Sequence, residues 1–424
     1  MALLKTLAAQ ALRLADARLA VEQALRAAPL SGPVRILAIG KAALPMWQGA
    51  DALLGSQVRA GLLIVPAHAS ASAAPMPNSP WRYPLHCLTG AHPLPDARSL
   101  AAGAAAQQFV AGCAPDECLL VLLSGGASAL CEVLPDGISL TELQALQQLM
   151  LASAWPINSI NAVRQRLSRI KAGGLLRCCP ADRSVRQLLL SDVPGDDPAV
   201  IGSAPFVPIV LPLPAWHTLP APWPQRLQRW LAAPGPATAT NAALADVTST
   251  IIASNAQVRA GLQHWAAAND LAVVANRAIA GEIGAVASAL AAEIATGPAG
   301  LYLYGGETHL QLPAQPGRGG RNQHLALLLQ QALTAADIES ACSVLTLATD
   351  GVDGCTDAAG ALFQCGARAR RVEAATADAA AALGTASSYD YWRQQGGLLV
   401  TGATGSNVAD LVLCWKSGRR VASR

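Results

Sequence analysis

The run C-L-L-V-L-L-S-G-G-A-S-A-L, Cys118 to Leu130, passes from unbroken apolar positions into a turn of small residues. A strand with one wet face alternates apolar and polar side chains. A continuous apolar run is instead buried on both faces, as in a parallel sheet covered by helices. The pattern recurs at VRILAIG (34–40), GLLIV (61–65), RQLLLSD (186–192), TSTIIASN (248–255), LAVVA (271–275), GLYLYGGE (300–307), SVLTLATDG (343–351) and GLLVTG (397–402). Alanine-rich stretches of helical period separate these runs, so the fold class is α/β. Several strands end in Gly, Ser, Asp or Lys, and open α/β sheets hold their ligands outside such strand ends.

A chain of 424 residues exceeds what one core usually supports, so two domains are expected. Nine prolines without periodicity lie between Ala204 and Ala237, which reads as a semi-rigid connection. Residues 1–240 then form a doubly wound, mainly parallel, Rossmann-like sheet domain. Residues 241–424 form a smaller α/β domain that starts with TSTIIASN. HLQL (309–312) follows GLYLYGGE closely and reads as its hairpin partner, which makes the second sheet mixed.

The net charge of +3 is small and no Lys/Arg run stands out, which argues against nucleic acid or a membrane surface as partner. The N-terminus is apolar at helical spacing but interrupted by Lys5, Arg13, Asp16, Arg18 and Glu22, an amphipathic helix rather than a secretory leader. No apolar run reaches the length of about 18 residues that a membrane span needs. The ten cysteines and seven histidines show no metal-ligand spacing, and the thiols read as reduced ones of a soluble cytoplasmic protein. His92, in GAHPLPD, is the one histidine inside a loop of interest.

The polar residues at strand ends carry the chemistry. Lys41, in I-G-K-A-A, sits where a strand gives way to a helix N-terminus, a place suited to phosphate or carboxylate. Alone it also reads as a surface lysine, and the Walker A spacing is absent. In S-G-G-A-S, Gly125 and Gly126 can turn backbone amides toward an anion while Ser124 and Ser128 add hydroxyls; a plain tight turn is the alternative. NAVRQRLSRIKAGG (161–174) offers Arg164 and Lys171 to close over a ligand, although helix neighbours two apart point to different faces. Asp192, in SDVPGDDP, can hold Mg²⁺ or accept a hydroxyl proton, or merely serve a turn.

The C-terminal half adds Gly305-Gly306-Glu307 and the loop Gly317-Arg318-Gly319-Gly320-Arg321-Asn322. Asp350, in TDGVDG, is a strand-end candidate for Mg²⁺, and Thr401, Gly402, Thr404, Gly405 and Asn407 form a third small-residue turn. One lysine, several arginines, three Gly/Ser/Thr turns and strand-end aspartates suit phosphoryl transfer, in which catalysis is mostly positioning and charge neutralisation.

In these motifs the chain resembles the type II glycerate kinases, which join an N-terminal glycerate-kinase domain to a C-terminal MOFRL domain. The matching segments run in order: GKAA (40–43), GAHPLPD (90–96), SGGASAL (124–130), INSINAVRQRLSRIKAGG (157–174), SDVPGDDPAVI (191–201), GGE (305–307), GRGGRNQ (317–323), TDGVDGCTDAAGA (349–361) and TGATGSNVADL (401–411). The resemblance implies an active site in the cleft between two α/β domains, and ATP-dependent phosphorylation of D-glycerate to 2-phosphoglycerate with Mg²⁺ or another divalent cation. It implies no partner beyond the small-molecule substrate, in a monomer or homodimer. Lys41 matches the family's essential lysine. The essential arginine lies in the GRGGRN loop, and Arg321 is favoured over Arg318. Ala127 and Ala204 stand where the family usually has glycine, and Gln165 interrupts a basic run. The alternative is an NAD(P)H-dependent hydroxypyruvate reductase, but no dinucleotide fingerprint supports it.

Overall fold

A computed structural model describes residues 1–67, 83–153, 155, 157–232, 244–336, 338, 340–366 and 373–418. They divide into two compact units, one of Ala17–Ile252 and the other of Met1–Asp16 with Ala253–Arg424. The division expected near residue 240 lies outside the described residues.

The first unit is built on a six-stranded sheet of order β3-β2-β1-β4-β5-β6. The strands are β1 (Val34–Ile39), β2 (Val58–Pro66), β3 (Leu85–Gly90), β4 (Cys118–Leu123), β5 (Ser184–Leu190) and β6 (Asp246–Ala253). β1 to β5 pair in parallel. Leu37, Ile39, Ile64, Val121, Leu123 and Leu189 are almost wholly buried, each worth roughly 1.5–3 kcal/mol of burial. Ile39 pairs with Leu123, and Leu123 with Leu189. This register brings Gly40–Lys41, Ser124–Gly126 and Ser191–Asp192 to one edge of the sheet. Strand order also reverses between β1 and β4, and doubly wound sheets bind ligands at that switch point.

Two expectations change here. TSTIIASN forms β6, the last strand of the first sheet, and does not open a second one. The proline-rich segment contains a helix, Trp223–Ala232, which buries Leu227 and Trp230 with Leu143, Leu146 and Met150. The seven prolines from Pro205 to Pro224 fall before that helix or at its start, where a missing N–H costs little.

The second unit has the order β11-β10-β9-β12-β8-β7, with β7 (Val273–Glu282), β8 (Gly300–His309), β9 (Cys342–Ala348), β10 (Gly360–Cys365), β11 (Leu398–Leu399) and β12 (Asp410–Lys416). β7 and β8 are parallel, whereas β12 runs antiparallel to both β8 and β9. The sheet is therefore mixed, but HLQL is not the reason. β8 continues to His309 without a hairpin, and the antiparallel partners come from β9, β10 and β12. Asp410 is in register with Gly306 on one side and Ala348 on the other, so Asp410, Glu307 and the Thr349–Asp350 turn share one edge.

The N-terminal helix Ala2–Leu14 belongs to this second unit, although the sequence places it in the first domain. Leu4, Leu7, Ala8 and Ala11 form its buried stripe, at the spacing of one helix face. Leu14 lies against Gly261 of the helix Asn255–Ala268, and the Ser406 hydroxyl donates to the Ala15 carbonyl.

Candidate active site

In the first unit the turns after β1 and β4 are tied to each other. The Lys41 N–H donates to the Gly125 carbonyl at 2.9 Å, and the Ala42 N–H donates to the Ser124 hydroxyl at 3.0 Å. The helix Ala43–Leu54 starts directly afterwards, so Lys41 stands at its N-terminus. Gly126 is left-handed, with φ +86°. A Cβ there would lie 3.2 Å from the Lys41 stem and 3.2 Å from the His92 ring. A Cβ on Gly125 would overlap the Asp192 carboxylate. Lys41, His92 and Asp192 thus lie around Gly125–Gly126: a side chain at Gly125 would overlap Asp192, and Gly126 has a left-handed φ that favours glycine.

The serines of the turn have structural partners. The Ser124 oxygen takes the Ala42 N–H, and the Ser128 and Ser203 hydroxyls bond each other at 2.8 Å. Ala127 begins the short helix Ala127–Leu130 and is not among the positive-φ residues, so alanine replaces the family's glycine there without backbone strain. Ala204 differs, since its φ of +60° costs a non-glycine residue roughly 1–2 kcal/mol.

Lys171 does not reach toward this turn. It is buried in an ion pair with Glu132, which also accepts from the Ser168 hydroxyl. Gln165 is likewise buried, donating to the Ala199 carbonyl at 3.1 Å and accepting from the Leu211 N–H at 2.9 Å. Arg164 is half-buried and its Nε has no hydrogen-bond partner. Burial pushes its guanidinium pKa down, with Glu132 acting the other way. Arg166 is likewise half-buried with an unpartnered Nε, so Arg164 and Arg166 both retain donor capacity for an anion.

In the second unit Arg321 is the first residue of the helix Arg321–Ala335. Its guanidinium pairs with Glu307, and with Asp410 at 3.4 Å. These carboxylates raise the Arg321 pKa against the effect of its own burial. Burial in turn pushes the Asp410 carboxyl up to about 7, in spite of Arg321. Arg318 has partners in its own unit: its guanidinium lies 4.0 Å over the Tyr389 ring and 3.6 Å from Asp357.

Gly305, Gly306, Gly319 and Gly320 answer to protein neighbours. A Cβ at Gly305 would meet Asn255, at Gly306 the Ile279 carbonyl, at Gly319 Ser388, and at Gly320 Asp353. Asn322 is buried, its amide nitrogen 3.5 Å from Asp353. The small-residue turn is braced by Thr404, whose N–H donates to the Asp350 carbonyl at 3.0 Å and whose hydroxyl donates to the Thr349 carbonyl at 2.6 Å. Thr401 donates to the Gly402 carbonyl, Gly405 is left-handed, and Asn407 accepts the Ala409 N–H. The Asp350 carboxylate accepts the Val352 N–H at 3.0 Å. At this edge Glu307 is exposed, and Arg321 and Asp350 are partly exposed. Asp353 and Asp410 were missed from sequence. The signal for Asp410 was a carboxylate opening an otherwise apolar strand.

The chain has relatives among known proteins. Residues 3–211 match a family described as a domain of unknown function, DUF4147, and residues 300–410 match the MOFRL family. The D-glycerate 2-kinase of Thermotoga maritima is 31% identical over 90% of this chain and 90% of its own length. The glycerate kinase of Bos taurus is 32% identical over 88% of this chain and 83% of its own. A protein of Agrobacterium vitis whose name proposes a hydroxypyruvate reductase is 34% identical over 77% of this chain and 87% of its own. The crystal structure of a Thermotoga maritima glycerate kinase matches with a TM-score of 0.80 at 26% identity, covering 97% of this chain and 98% of that one. Relatives named as glycerate kinases cover most of this chain, which places it in the kinase class. The chain belongs to the type II glycerate kinase family and is an enzyme of that family. Among the described residues no helix is long and apolar enough to cross a membrane.

Proposed function

We propose that the enzyme transfers the γ-phosphoryl group of ATP to the 2-hydroxyl of D-glycerate, giving ADP and 2-phosphoglycerate. The observation that carries this reading is the convergence of Lys41 and Asp192 on the Gly125–Gly126 turn at the sheet's switch point. A cation and a carboxylate on one glycine turn are what phosphoryl transfer to an alcohol needs.

In the transfer, the glycerate O2–P bond forms as the bond from the γ-phosphorus to the β,γ-bridging oxygen breaks. Lys41 neutralises charge on the transferring group, Asp192 accepts the hydroxyl proton, and ADP leaves. In the second unit Arg321 is a cation suited to phosphate oxygens, since its pair with the exposed Glu307 can be exchanged for them. Arg164, with its unpaired Nε, is suited to the glycerate carboxylate. Mg²⁺ fits the donors present, because it takes one or two carboxylates together with phosphate oxygens. Asp192, or Asp350 in the second unit, would hold it, and it would offset phosphate charge. Among the described residues no group of three or more His, Cys, Asp and Glu side chains gathers as a metal cage.

The test is ADP release from ATP and Mg²⁺ with and without D-glycerate, beside NADH oxidation with hydroxypyruvate. Glycerate-dependent ADP release is expected, with no NADH oxidation. The reverse pattern would replace the kinase by the reductase.

A further inference from the structure

We propose that Asp353 is a positioning residue for Arg321: it caps, from another loop, the helix that Arg321 begins. The proposal rests on the reading of Arg321 as a phosphoryl-transfer residue. Gly320, which precedes the helix, has no side chain to cap it, and the first amides of a helix lack intrahelical partners. Asp353 supplies the acceptor. One carboxylate oxygen takes the Asn322 N–H at 3.0 Å and the other takes the Gln323 N–H at 2.8 Å. Asp353 is only 3% exposed.

The surroundings fit this one carboxylate. A Cβ on Gly320 would overlap the Asp353 carboxyl, and one on Gly354, with φ +64°, would overlap the Gly319 carbonyl. Two glycine-bearing loops therefore interlock around it. The Thr356 hydroxyl donates to the Asp353 carbonyl at 2.8 Å and accepts from the Gln323 side-chain amide at 2.9 Å. Farther along the turn, Thr346 donates to the Asn322 carbonyl and Trp392 to the Gln323 carbonyl, each at 2.8 Å. The main chain on the helical side of Arg321 is thus held through Asp353 and its neighbours.

One consequence concerns the loop itself. A helix N-terminus attracts anions, but here the Asn322 and Gln323 amides already hold the protein's own carboxylate. A substrate phosphate at this loop is met by the Arg321 guanidinium and not by those two amides. The glycines of G-R-G-G-R-N make room for Ser387, Ser388 and Asp353 of their own unit.

Two measurements on the full chain test the proposal. Hydrogen exchange compares wild type with Asp353→Ala and needs no substrate. Exchange at Asn322 and Gln323 should speed up by about tenfold or more, the size expected for a lost cap, while β8 and β12 keep their protection. Unchanged exchange at those amides would overturn the cap. Turnover then separates positioning from stability. Asp353→Ala should lower kcat by roughly 10–100-fold with the KM for D-glycerate nearly unchanged, and Arg321→Ala with Asp353→Ala should be no slower than Arg321→Ala alone. Full additivity in that double variant would overturn the positioning role. If Asp353→Ala fails to fold, Asp353→Asn carries both measurements, since it retains one acceptor oxygen. An inactive wild type would sink the kinase reading, and exchange would still decide the cap.

Discussion

The Arg321 guanidinium reaches Asp410 at 3.4 Å and pairs also with Glu307, yet the two carboxylates differ in their access to water. The Glu307 side chain is 50% exposed and that of Asp410 only 10%. Glu307 can release the arginine to a phosphate at small cost, because an exposed pair is worth little. Asp410 is the fixed end of the arrangement.

Its ionisation gives the first prediction. Burial lifts the Asp410 pKa to about 7 from an ordinary 3.8, with Asp353 and Glu307 adding to the rise and Arg321 opposing it. Between those values the folded protein keeps a proton that the unfolded chain has released, so this contribution to stability is lost as pH rises toward and through 7. Denaturant unfolding at pH 5 and pH 8 should therefore show wild type losing on the order of 1–4 kcal/mol relative to Asp410→Asn. Parallel changes in the two proteins would contradict the assignment.

The two arginines of the loop should separate by readout. Arg321→Ala should lower kcat by roughly a hundredfold or more with little loss of stability. Arg318→Ala removes the stack on Tyr389, costs about 0.5–1 kcal/mol and leaves kcat within a few-fold. Steady-state kinetics beside thermal melts decide it. A dead Arg318→Ala enzyme with a normal melt would reverse the roles.

Gly125→Ala places a methyl group against the Asp192 carboxylate. Displacing that carboxylate by about 1 Å should cost roughly a hundredfold in turnover in a protein that still folds. Gly384→Ala, where nothing lies within 4 Å of the added Cβ, serves as the control and should be silent. Normal turnover in Gly125→Ala would remove Asp192 from the mechanism.

Lys171 and Glu132 predict a stability effect without a catalytic one. Lys171→Met leaves a buried carboxylate unpaired and should cost about 3–5 kcal/mol, whereas adding Glu132→Leu should restore most of that loss. Chemical denaturation of both variants measures it. A severe kcat defect in a well-folded double variant would return Lys171 to the site.

The sequence made the first sheet legible because its strands are continuous apolar runs ending in small residues, as at Leu119–Gly126. Three strands escaped it. β3, β10 and β12 carry Thr89, Gln364 and Asp410 within or at the head of otherwise apolar runs, and their register, not their composition, makes them strands. Lys41, the Ser124–Gly126 turn and Asp192 come to one edge because each follows the end of a strand, and strand pairing gathers strand ends. Lys171 was misread because a basic residue in a basic cluster looks solvent-facing until its partner, 39 positions earlier, is known. Asp353 was hidden for a similar reason: a cap ordinarily sits next to its helix in sequence, and this one comes from a loop beyond β9.

The central claim, phosphorylation at the 2-hydroxyl, is tested most directly by ³¹P NMR of the product formed from ATP, Mg²⁺ and D-glycerate, with wild type and Lys41→Ala side by side. The expected result is a phosphate coupled to the single proton on C2, formed by wild type and nearly absent from the variant. A phosphate coupled to the two C3 protons, or equal turnover by Lys41→Ala, would contradict the account.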